Sequence, residues 1–209
     1  MSVQTIRSIL GAPSTPPTID DSILLIIDAQ NEYAAGLLKV ARLEETNTAI
    51  KALLNRYRKA GSSVIHVVMD VPEGAPIFTP GTPLAAILDG LEPAEDEQVV
   101  HKTHASAFTG TNLQELLVKT GKKKLSVVGR VPLHCPYWTS SADSPGYMAH
   151  NCVSATIRVA AELGYDVYAV RDAIGDRDIP GATAEELVRV SLAEVADVVS
   201  VIVESKDIR

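Results

Sequence analysis

Cysteine is scarce in this chain, with two residues among 209. Two cannot build a disulfide framework, so we expect a reducing compartment, the cytosol. A chain of this length buries enough apolar surface to fold without covalent staples. Clustered positive charge is missing too: 19 Lys and Arg stand against 26 Asp and Glu, a net charge of −7. Proteins that grip phosphate backbones carry clustered Lys and Arg, so a nucleic-acid partner is not expected. The one basic run, Lys122 to Lys124, precedes a predicted strand and reads as a solvated turn. No apolar stretch reaches the roughly 20 residues that span a bilayer, so no membrane partner is expected. Met1 to Pro17 is mixed and proline-rich, without the charged-then-apolar pattern of a secretory signal, and Asp207 to Arg209 match no retrieval signal. No Gly-x-Gly-x-x-Gly follows the first predicted strand, which argues against dinucleotide binding.

What remains has the composition of a soluble globular protein, 46% hydrophobic and 22% charged. We read it as one domain, residues 1–209, opening with an irregular arm over 1–20. Ile23-Leu24-Leu25-Ile26-Ile27 is a solid apolar run, the mark of a strand buried on both faces. A helix is predicted from Glu44 to Ala60, closed by Gly61, and a strand from Val64 to Met69. Pro72 to Pro83 is a loop. A short strand at Val99-Val100 runs into Lys102. Asn112 is positioned to cap a helix from Leu113 to Lys119. Then follow a strand from Leu125 to Val128, a helix from Cys152 to Leu163, a strand from Val167 to Val170, a helix from Ala184 to Ala196 and a strand from Val198 to Val203. Strands alternating with helices predict an α/β three-layer sandwich. Its centre is a parallel, Rossmann-like sheet of about six strands with helices on both faces.

In such sheets chemistry gathers beyond the carboxyl ends of the strands. Asp28 follows the first strand, Lys102 the third, and Cys152 opens the helix after the fourth. Three reactive residue types therefore converge on one edge. A helix N-terminus and a nearby cation both favour a thiolate, so Cys152 is expected to be an activated nucleophile beside Lys102, with Asp28 orienting the lysine and carrying a proton. Taken alone, a lone cysteine is more often a small buried hydrophobe. His66, inside a strand, reads as a satisfied core histidine, and His104 as a structural neighbour of Lys102.

Three stretches carry a resemblance: Asp28-Ala29-Gln30-Asn31-Glu32-Tyr33, His101-Lys102-Thr103-His104-Ala105-Ser106-Ala107-Phe108, and Gly146-Tyr147-Met148-Ala149-His150-Asn151-Cys152-Val153-Ser154-Ala155-Thr156. In this order they resemble the motifs of the isochorismatase-like cysteine hydrolases, with Glu73 to Pro76 and Leu163 to Val167 also fitting. The resemblance spans about residues 20 to 204. It implies an Asp28–Lys102–Cys152 triad and a non-proline cis peptide before Met148. It also implies an oxyanion hole from the backbone N–H groups of Met148 and Cys152, and a substrate pocket lined by Gln30, Tyr33, Phe108, Tyr147 and His150. No cofactor is implied. The Asp-x-His-x-x-His metal arrangement of nicotinamidase-type members is absent after Met69-Asp70, so no metal is expected. A homo-oligomer, dimer or tetramer, is implied as well.

The spacing departs from the family in one place. In the family the nucleophile follows six residues after the strand-ending glycine, and six residues after Gly129 stands Cys135; Gly146 repeats that spacing to Cys152. Residues 130–146 therefore read as a 17-residue insertion, open to three readings: a lid, an inert excursion or an intron translated in frame. The helix-forming run after Cys152 makes it, rather than Cys135, the expected nucleophile. The leading function is metal-independent hydrolysis of a C–N bond of a small-molecule substrate through a thioester. The alternatives are vinyl-ether hydrolysis of the isochorismate type and a catalytically inactive relative serving as an oligomeric binding module.

Overall fold

A computed structural model describes residues 3–130 and 151–209. Six strands form one wholly parallel sheet: β1 (Ser22–Ile27), β2 (Val64–Met69), β3 (Gln98–Lys102), β4 (Lys124–Arg130), β5 (Asp166–Gly175) and β6 (Ser200–Val203). Their order across the sheet is β3-β2-β1-β4-β5-β6. The helices are α1 (Ile6–Ile9), α2 (Glu32–Ala35), α3 (Leu43–Lys59), α4 (Leu113–Thr120), α5 (Asn151–Glu162) and α6 (Ala184–Val198). Short 3₁₀ turns occupy Pro83–Ala85 and Ser205–Asp207.

The apolar run of β1 is the centre of two cores. Side chains alternate across a strand, so Ile23, Leu25 and Ile27 enter one face and Leu24 and Ile26 the other. On the first face they meet Leu113 and Leu117 of α4, Val153, Ile157 and Ala160 of α5, and Leu192 and Val195 of α6. On the second they meet Ile50, Leu53, Leu54 and Tyr57 of α3. Ile50, Leu53 and Leu54 are fully buried, and each stabilises the packed helix by about 1.5–3 kcal/mol. The expected three-layer α/β sandwich is therefore the observed fold.

Local details depart from the sequence reading. The arm contains one helical turn, α1, whose Ile6 N–H donates to Asp197 of α6. Asn112 precedes α4 but its side chain caps nothing; the Leu113 N–H donates to the Thr111 hydroxyl instead. The lysines of the basic run are not simply solvated: Lys122 Nζ donates to the Ser22 carbonyl and Lys124 pairs with Asp21 at 2.6 Å, tying β4 to the entry of β1. The insertion expected at 130–146, with Cys135, falls outside the described residues except for Arg130, the last residue of β4.

Candidate active site

The carboxyl ends of β1 and β3 and the start of α5 meet at one point. Lys102, the last residue of β3, lies with Nζ 3.0 Å from Asp28 Oδ2 and 2.9 Å from Cys152 Sγ. A third bond runs from Nζ to the His104 carbonyl at 3.1 Å. All three side chains are buried, with Asp28 and Lys102 fully so. Asp28 sits directly after β1 at φ +51°, a left-handed conformation that Asp tolerates better than most residues and that is characteristic of strained functional positions.

Two features hold this geometry. Gly129 of β4 lies beside the end of β1, where a Cβ would fall 2.1 Å from the Ile27 carbonyl oxygen. Only glycine permits β4 to pass so close to the residue before Asp28. On the other side, Thr156 stands four residues after Cys152 and so on the same face of α5. Its hydroxyl accepts a bond from the Ala107 N–H at 3.0 Å, pinning the loop after Lys102 to the helix that carries the cysteine. Thr156 was not among the residues expected at the site; its i+4 spacing from Cys152 was the available signal.

The electrostatics correct one expectation. Cys152 is the second residue of α5, yet its thiol is not depressed. Burial pushes it up strongly, the Asp28 carboxylate adds to that, and Lys102 opposes without prevailing. For Lys102, burial lowers the pKa, but Asp28 and Cys152 outweigh it and raise the lysine above its ordinary value. Both directions favour a charged lysine beside a neutral thiol. Neither Asp28 oxygen accepts a backbone N–H among the described residues, so its contacts are the lysine and the thiol.

The other expected site residues are placed as follows. Gln30 is buried with both amide donors used: Nε2 donates to the carbonyls of Met69 and Ala85, and Oε1 accepts from the Met69 N–H. It ties the loop after β1 to the end of β2. Tyr33 is buried against Phe78, ring centroids 5.2 Å apart and nearly perpendicular. Phe108 is half-buried, 6.5 Å from the Tyr165 ring, and packs on the core cluster that contains Cys152. Tyr147, Met148 and His150, with the expected cis peptide and oxyanion donor, lie outside the described residues. His66 is a core histidine satisfied on one side: Nε2 bonds Glu97 at 2.8 Å, while buried Nδ1 has no partner among the described residues.

Buried acid, lysine and cysteine at the carboxyl edge of a parallel sheet mark a hydrolase class, and comparison with known proteins gives the family. The sequence matches the profile described as Isochorismatase domain over residues 22–135 and 145–206; the unmatched stretch, 136–144, lies inside the expected insertion. The chain belongs to the isochorismatase family of hydrolases. It is 48% identical over 206 residues to a secreted isochorismatase effector of Verticillium dahliae, covering 99% of this chain and 100% of that protein. It is 33% identical over 159 residues to a streptothricin hydrolase of Streptomyces noursei, covering 76% of this chain and 51% of the relative. The crystal structure of an isochorismatase from Pseudomonas putida superposes with a TM-score of 0.86 at 30% identity, covering all of both chains.

The first of these relatives overturns the cytosolic expectation. A protein 48% identical over nearly the whole chain is named as secreted, which points outside the cell. The physical reason the composition misled is that scarce cysteine excludes a disulfide framework, not an oxidising environment. A domain with two extensive cores needs no staple in either.

Proposed function

We propose that this hydrolase works through Cys152 as nucleophile, Asp28 as proton acceptor and Lys102 as the cation that orders both, and that it cleaves a C–N bond of a small molecule. The observation that carries this is the position of Lys102 Nζ, 2.9 Å from Cys152 Sγ and 3.0 Å from Asp28 Oδ2. In this reading the thiol proton passes to Asp28 as sulfur bonds the substrate carbonyl carbon. The C–N bond then breaks, the amine leaving with the proton from Asp28, and a thioester remains. Water cleaves the thioester, giving the acid and restoring the thiol. Amidases among the relatives by name support this chemistry.

A second reading is favoured by the 48% identity to an isochorismatase effector: hydrolysis of a vinyl ether. There a protonated Asp28 would give its proton to the vinyl carbon, and water would add to the resulting cation without a bond to sulfur. The two readings make opposite demands on Cys152. Wild type and Cys152→Ala are to be assayed with isochorismate for pyruvate release and with maleamate and N-carbamoylsarcosine for ammonia. Ammonia release lost in the variant supports the covalent reading. Pyruvate release that survives in the variant selects the second.

A further inference from the structure

Four residues after Asp28 lies a second fully buried carboxylate that the chemistry above does not use. Glu32 Oε1 accepts the Leu38 N–H at 3.1 Å, and Oε2 accepts the Phe78 N–H at 3.0 Å. Among the described residues it makes no ion pair. A buried carboxylate held only by backbone donors from two different loops is a clamp between them. One loop follows α2 and the other follows β2, and each carries part of one aromatic and aliphatic cluster, Tyr33, Leu38, Val40 and Phe78. Met69, at the end of β2, packs both on this cluster and on the core that contains Cys152. Gln30, two residues after Asp28, bonds both the carbonyl and the N–H of Met69, so the cluster borders the loop that carries Asp28.

Three details show that the clamp is specific. Both bonds need acceptor atoms, so a glutamine would turn its NH₂ toward one of the two N–H groups. Gly36 faces the carboxylate so closely that a Cβ there would lie 2.3 Å from its carboxyl carbon. Phe78 is held at φ +47°, an outlier for a bulky residue, and its N–H is the group that Glu32 secures. Strain of this kind persists only where the surroundings enforce it.

We propose that Glu32 is a positioning residue that shapes the wall of the substrate pocket beside Cys152, by locking the loop after α2 to the Phe78 loop. The proposal rests on Cys152 being the nucleophile of the reading above. Released from the clamp, Phe78 relaxes from its left-handed conformation and the wall opens to larger groups.

The test uses the full chain and two alkylating reagents, iodoacetamide and its bulkier N-phenyl derivative, with labelling of Cys152 followed by peptide mass. The readout is the ratio of the two rate constants, aryl over small. In Glu32→Gln and Gly36→Ala this ratio should rise about tenfold, the scale of one lost charge-assisted hydrogen bond. Phe78→Gly, which keeps the N–H donor and removes both ring and strain, should raise it as well and serves if Glu32→Gln does not fold. A ratio within twofold of wild type in the folded variants overturns the proposal, including the case in which both rates change equally. Failure of the nucleophile reading shows separately, as labelling in the otherwise wild-type chain that is indifferent to Asp28→Asn.

Discussion

Two clusters of buried charge sit on this sheet, and they differ in how fully their acids are satisfied. Glu97, just before β3, accepts from Arg58 Nε and Nη2, from His66 Nε2 and from the Ala94 N–H. Burial works against its charge, but these partners outweigh burial and draw it down to about 2. Asp28, at the carboxyl end of β1, is more deeply buried, yet among the described residues its side chain has only Lys102 and the Cys152 thiol as partners. The saturated acid holds its charge and does structural service. The unsaturated acid faces the Cys152 thiol, with Lys102 as its charged partner among the described residues. The function proposed above puts the chemistry at the acid whose hydrogen-bond account is left open.

Substitutions sharpen this contrast. The largest effect is expected from Lys102→Met, which leaves the Asp28 charge buried and unpaired. We expect a loss of about 3–5 kcal/mol in chemical denaturation, together with loss of turnover and slower alkylation of Cys152. Asp28→Asn should also abolish turnover, measured on whichever substrate of the assay above is accepted. Next comes Thr156→Val, which strands the buried Ala107 N–H and frees the lysine loop, at about 1–3 kcal/mol of stability. It should lower kcat more than it changes KM. Thr156→Ser, which retains the hydroxyl, should restore kcat; a KM effect alone would contradict the positioning role.

The smallest effect belongs to the saturated cluster. Glu97 is held below its ordinary range when folded, so its contribution is present above about pH 4.3. It is lost as pH falls toward about 2. His66 is lowered by burial despite Glu97, so it stays neutral in the fold and adds acid sensitivity as pH drops through the ordinary histidine range. In thermal melts, Glu97→Gln should be less stable than wild type at pH 7, the gap narrowing below about pH 4 and closing only toward about pH 2, with catalysis at neutral pH retained. A gap independent of pH would remove Glu97 from this account.

Much of the architecture could be read from residues alone, because it follows from one-dimensional patterns. The solid apolar run of β1 announces a strand buried on both faces, and the alternation of elements announces a parallel sheet. Asp28 directly follows β1, Lys102 ends β3 and Cys152 stands at the start of the helix after β4, so their meeting at one edge follows from topology. What sequence could not show depends on depth and on loops. Position at a helix start suggested an activated thiolate, but the complete burial of the Asp28–Lys102 pair and of Cys152 reverses the direction. Nor could sequence show that both amide donors of Gln30 go to the Met69 and Ala85 carbonyls. Glu32 and Phe78 are 46 positions apart, and only the folded loops make them partners. Composition also misjudged the compartment, because it reports the need for disulfides rather than the cell's address.

The central claim is that Asp28 is the open acid facing the Cys152 proton. The direct measurement is the pH profile of Cys152 labelling by iodoacetamide in wild type and in Asp28→Asn. Burial and Asp28 both raise the thiol while Lys102 lowers it. Wild-type labelling should therefore be slow at pH 7 and still climbing beyond pH 9. Removing the carboxylate charge should shift the profile to lower pH and speed labelling at neutrality while turnover disappears. A profile that is unchanged by Asp28→Asn, or that moves to higher pH, would contradict the account.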